Sequence, residues 1–149
     1  MQEHTGSDYL AAFKGSFTSA LRWRHLDELW ERLGARPEGW FVYPVGQELP
    51  KEPLSDTAFI EFLSEIDTLL RTEHDEDYCG IVYADDLKNP AFVKIYDPNN
   101  LGVSCGFSDN PPLPGWVLSR IPPVELESKQ PVANNRKRWW QRLLDRDNS

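Results

Sequence analysis

The sequence predicts an α+β fold: a small antiparallel sheet of three to four strands packed on one face against two or three helices, in a single domain with a basic C-terminal tail. Three observations predict it. Helix-period apolar patterns dominate the first half, short strand-like runs punctuated by turn residues follow, and the charge changes sign near the C-terminus. At 149 residues with 40% hydrophobic content, the chain can bury one core. The boundaries read from composition are a short N-terminal segment over 1–6, a globular domain over 7–123 and a tail over 124–149.

The first helical pattern runs from Ser7, a potential cap, through Tyr9, Leu10, Phe13, Phe17, Ala20 and Leu21. A second set, Leu26, Leu29, Trp30 and Leu33, continues at helical spacing, and Gly34 with Pro37 supplies a stop. Whether Trp23-Arg24-His25 interrupts the two sets is open at this level. Trp40 to Val45 is rich in strand formers, but Pro44 cannot donate to a ladder, so a strand there is short or at an edge. Beyond Pro50 and Pro53, Ser55 caps the clearest helix, with Phe59, Phe62, Leu63, Ile66, Leu69 and Leu70 on one face and an end near Thr72.

Tyr78–Ala84 and Ala91–Tyr96 read as a hairpin across the loop Asp85–Pro90. Asp97-Pro98-Asn99-Asn100-Leu101-Gly102 is a turn, because Asp and Asn bond nearby backbone and Asn and Gly accept positive φ. Ser104–Ser108 and Trp116–Arg120 offer two more short strands between prolines 111, 112, 114, 122 and 123.

Several motifs invite a chemical reading and fail on context. Gly102-Val103-Ser104-Cys105-Gly106 has the letters of a nucleophile elbow, yet the proline-rich stretch after it cannot form the required helix. All three histidines (4, 25 and 74) also precede the serine, where that fold places its histidine after it. The calcium-loop reading of Asp97-x-Asn99-x-Leu101-Gly102 lacks an oxygen ligand at its fifth position and the bidentate acid at its twelfth. His74, Asp75, Glu76, Asp77 and Cys79 offer mixed metal donors at no standard spacing, and read instead as a solvated helix end. Acids there oppose the helix dipole, so they are expected to seek a cation, such as the basic tail. Cys79 and Cys105 lack CxxC spacing and read as buried thiols, and nothing selects a Cys105–His74 catalytic pair. Pro111–Pro114 reads as a rigid surface loop packed by Trp116.

The tail is the most informative segment. From Lys129 to Arg142 it carries five cations and no acid, so this stretch is +5 within a chain of −8, and the rest is −13. A helix there places Trp139, Trp140, Leu143 and Leu144 on one side. Two outcomes balance: the tail docks on its own acidic domain, or it serves a partner in trans. The acidic body argues against nucleic acid as partner of the domain, while peripheral membrane contact through the tail stays open.

The functional expectation is a cytoplasmic, non-catalytic binding or accessory protein acting through protein–protein contacts with an unidentified protein partner. No cofactor or metal is expected. Its surface is assigned to the loops 85–90 and 97–102, to Trp116, and to Arg136, Lys137, Arg138, Trp139, Trp140 and Arg142. The competing expectation is a small enzyme or ligand-binding domain with a pocket between sheet and helices, lined by Tyr83, Lys94, Tyr96, Cys105 and Trp116.

Overall fold

The computed structural model describes residues 6–100, 113–126 and 134–147. Among them are four helices, α1 (Gly6–Phe13), α2 (Trp23–Ala35), α3 (Asp56–Glu73) and α4 (Asn134–Asp147). They accompany strands β1 (Thr18–Ser19), β2 (Phe41–Pro44), β3 (Val82–Ala84), β4 (Phe92–Ile95) and β5 (Trp116–Ser119). The strands form one antiparallel sheet in the order β1-β3-β4-β5-β2. The α+β class is therefore as the sequence predicts, with one strand more and one helix more than expected. The predicted strand Ser104–Ser108 lies outside the described residues.

The register fixes which side chains share a face. Ser19, Tyr83, Lys94, Val117 and Tyr43 form one cross-strand row, and Ala84, Val93, Leu118 and Val42 form the next, pointing the other way. On the second row's side, Val42, Val82, Val93, Ile95, Trp116 and Leu118 meet the apolar faces of α2 and α3 in the main core. On the opposite side, Tyr43, Phe92 and Val117 pack with Tyr9 of α1 and with Val45 and Leu126 in a smaller core. Helices on one face alone were expected. Both faces are covered, because Phe41-Val42-Tyr43 and Trp116-Val117-Leu118 are apolar at odd and even positions alike, the pattern of doubly buried strands.

Local chemistry explains the element ends. The Ser55 hydroxyl accepts from the Ala58 backbone N–H at 3.1 Å, and the predicted apolar positions of α3 are all buried. The Arg22 backbone N–H donates to His25 Nδ1 at 3.2 Å, which opens α2 at Trp23 and settles the break left open by the sequence. The first helix is shorter than its periodicity suggests. It stops at Phe13, and beyond Gly15-Ser16 the chain pairs Thr18 and Ser19 with β3 instead of continuing to Leu21. Strand β3 likewise starts later than predicted, at Val82, because Gly80 holds φ at 70° and breaks the extended run. Residues Cys79 and Gly80 still donate to the Leu21 and Ala20 carbonyls, at 2.8 and 3.2 Å. No helix among the described residues is long and apolar enough to cross a membrane.

Candidate functional site

The basic segment forms α4, which lies on α3 over the main core. Positions 136, 139, 140, 143 and 144 point inward at helical spacing. Trp139 meets Trp116 edge-on at 5.6 Å and Phe62 at 6.2 Å, and Trp140 meets Phe62 at 6.1 Å. Leu143 is buried beside them, with Leu144 packed against the cluster. Trp116 is thus a core residue under α4.

Arg136 holds the start of this helix. It is 6% exposed, and its guanidinium makes four hydrogen bonds. Nε and Nη2 donate to Asp97 Oδ2 and Oδ1 at 2.8 and 3.0 Å, and Nη1 and Nη2 donate to Glu73 Oε2 and Oε1 at 3.0 and 2.6 Å. Glu73 ends α3 and Asp97 follows β4, so one side chain ties three parts of the chain together. Burial works against the guanidinium charge, but the hydrogen bonds and charges of Asp97 and Glu73 more than offset it, and the pKa is raised. A cation does meet the acidic end of α3, as the dipole argument expects, yet the acids concerned are Glu73 and Asp97. His74 caps that end from a buried position, its Nε2 2.9 Å from the Cys79 carbonyl oxygen, and the Trp23 indole N–H donates to the Glu76 carbonyl at 3.0 Å. Among the described residues, no three His, Cys, Asp or Glu side chains converge to hold a metal ion.

The outward face of α4 is polar. Asn135, Lys137, Arg138, Gln141 and Arg142 are exposed, and Asn135, Arg138, Gln141 and Arg142 line an open depression of about 410 Å³. Gln141 Nε2 donates to Asp145 Oδ1 at 3.0 Å. The ion pairs among the described residues involve Arg71 and Arg136, and leave Lys137, Arg138 and Arg142 facing solvent.

The loops assigned to the same surface use their acids internally. Asp85 Oδ1 accepts from the backbone N–H groups of Asp86, Ala91 and Phe92, at 2.9 to 3.1 Å. Asp86 Oδ1 accepts from Lys88 and Asn89, and Asp97 Oδ1 accepts from Asn99. These carboxylates hold turns in shape. The nucleophile-elbow letters, Cys105 and most of the proline run lie outside the described residues.

The residues proposed to line a pocket divide between the two sheet faces. Trp116 faces α4, whereas Tyr83, Lys94 and Tyr96 lie together on the opposite face. Tyr83 and Tyr96 meet edge-on at 5.7 Å. The Lys94 ammonium sits 4.1 Å from the Phe13 ring centroid and 4.0 Å from that of Phe17, so the segment around α1 clamps it from two sides. Burial lowers the Lys94 pKa, and burial followed by Tyr83 raises that of Tyr96. Sequence reasoning missed Phe13 and Phe17 as partners of this lysine, because it assigned both to a continuous helix.

Comparison of the chain with protein-family models, with curated proteins and with solved structures finds no match.

Proposed function

We propose that this is a non-catalytic binding or accessory protein acting through protein–protein contacts. The outward ridge of α4, with Lys137, Arg138 and Arg142, is its contact surface, and an acidic patch on another protein is the partner chemistry. One observation carries this reading: three cations stand exposed on a helix whose other side is fixed by a buried arginine and two tryptophans, on a body that is otherwise acidic. A pre-positioned cationic ridge favours fast, salt-sensitive encounter with a complementary acidic surface. The tail reading that used Trp139 and Trp140 as anchors in trans, on a membrane or in a groove, would require both to leave the core. Arg138 and the ridge around it need no such rearrangement.

The test is affinity purification from native extract with the wild type and K137E/R138E/R142E side by side, after nuclease treatment. The reading expects one or more proteins retained by the wild type and lost both with the variant and at raised salt. Retention unchanged by the charge reversal, or loss of all bound material on nuclease treatment, overturns it.

A further inference from the structure

The depression on the outward face of α4 has a composition that a cationic ridge alone does not explain. Among the described residues it is lined by Asn135, Arg138, Gln141 and Arg142 around a volume of about 410 Å³, and Lys137 is not among them. Arg138 is the hub of the set. Asn135 lies three positions before it, Gln141 three after and Arg142 four after, the spacings at which helical side chains are direct neighbours. All four are exposed, and each adjoins in sequence a side chain buried or packed in the body: Arg136, Trp139, Trp140 or Leu143. The backbone that carries the lining is thus fixed before any ligand arrives. Arg138 and Arg142 bring two positive charges and two planar forks of N–H donors, and they belong to none of the ion pairs among the described residues. Asn135 and Gln141 add carboxamide N–H groups. Gln141 gives one Nε2 proton to Asp145 Oδ1 at 3.0 Å, which orients the amide and leaves its second proton for a ligand.

Resting on the α4 reading above and narrowing its partner chemistry, we propose that this depression is a recognition site for a phosphorylated side chain on the protein partner, with Arg138 and Arg142 as paired counter-ions and Asn135 and Gln141 as further donors. The charge count selects the class. A phosphoserine or phosphothreonine carries about −1.5 to −2 at neutral pH and three acceptor oxygens, which match two guanidiniums and two carboxamides, whereas one carboxylate leaves a cation unbalanced. A nucleic acid has to approach a body that carries −13 outside the stretch 129–142. A membrane reading loses its apolar anchors, since Trp139 and Trp140 are packed inside. A phosphorylated loop needs only the depression.

The test follows the arginine Nε–H and carboxamide signals of the full chain by NMR, during titration with the capped peptide Gly-Ala-phosphoserine-Ala-Gly and its glutamate and serine counterparts. Inorganic phosphate and phosphatidic acid vesicles are run beside them, with sodium chloride at matched ionic strength as control. Saturable shifts of the Arg138, Arg142 and Gln141 signals are expected with the phosphopeptide, with the glutamate peptide about tenfold weaker or more and the serine peptide silent. R138M and R142M are each expected to weaken the phosphopeptide about tenfold or more, and K137M at most about threefold, because Lys137 lies outside the lining. D145N, which keeps an acceptor for Gln141 and removes the opposing charge, is expected to tighten it about threefold. Equal affinity for the glutamate peptide, or equal losses in K137M and R138M, overturns the site and leaves the α4 ridge as a general contact for acids. Failure of the phosphopeptide to saturate the signals also overturns the site, while the affinity purification above judges the ridge by itself. Saturation of the same signals at lower concentration by inorganic phosphate or by the vesicles overturns the assignment to a protein partner.

Discussion

Replacing Arg136 by Met keeps the aliphatic stem and removes the guanidinium. The loss leaves two carboxylates facing each other, Asp97 with 14% of its side chain exposed and Glu73 with 31%. Breaking a buried ion pair from one side costs about 3–5 kcal/mol, and the partial exposure of Glu73 lets water recover some of that, so about 2–4 kcal/mol is expected. For a chain of this size each kcal/mol moves Tm by roughly 2–4 °C, so R136M should melt on the order of 10 °C below wild type. The triple variant R136M/E73Q/D97N removes the stranded charges as well. It should recover at least half of the loss, since the side-chain amide oxygen that D97N introduces can still accept from the Asn99 backbone N–H, as the Asp97 carboxylate does. Urea unfolding followed by tryptophan fluorescence measures the stability, and hydrogen exchange of the α4 amides reports whether the helix loosens before the body does. A loss in R136M below about 1 kcal/mol, or a triple variant no more stable than the single one, would refute the claim that this ion cluster holds α4 in place.

Further outcomes follow from the same geometry. Trp140→Ala should cost about 3–5 kcal/mol, because the ring is buried against Phe62 and its removal opens a cavity in the main core; denaturant unfolding measures it. Ser55→Ala removes the α3 cap and should cost about 1 kcal/mol, read in the same way. Burial raises the Cys79 pKa and keeps the thiol protonated, so in native protein at neutral pH alkylation of Cys79, followed by peptide mass spectrometry, should proceed only as fast as the chain unfolds. Burial lowers the Lys94 pKa from its usual 10.5, so above the folded-state pKa the unfolded chain binds more protons at this site than the folded one. The stability of wild type relative to K94M should therefore rise with pH through the alkaline range up to about 10.5, and a flat or falling difference in urea titrations contradicts the assignment.

Much of the fold was legible where one element obeys one period. Helix α3 shows its cap, its apolar face and its end in the letters, because Phe59 to Leu70 need only a single buried side. The hairpin of β3 and β4 was equally plain from its punctuation. Strand β1 was not, since two residues cannot display an alternation, and Thr18-Ser19 takes its extended form from the pairing partners Ala84 and Tyr83. The double coverage of the sheet was written in the unbroken apolar runs of β2 and β5, but the eye reads such runs as strong strands before it asks what lies on each side. The site divides similarly. The inward side of α4 followed from helical spacing, while Arg136 looked like one more exposed cation, because net charge counts a guanidinium without locating its carboxylates. The split of Tyr83 and Lys94 from Trp116 depends on register, which composition does not contain.

The strand order has a consequence for how the molecule comes into being. Strand β2 ends at Pro44, yet its partner in the ladder is β5, which begins at Trp116. A chain emerging from the ribosome must therefore hold Phe41-Val42-Tyr43 unpaired while about half of the sequence is still being made, and the groove over Phe62 waits longer still for α4. During that interval the nascent chain presents unpaired strand and bare aromatic surface, the features that invite aggregation and chaperone capture. Synthesis rate and chaperone supply should thus matter more to the yield of this protein than its modest length suggests.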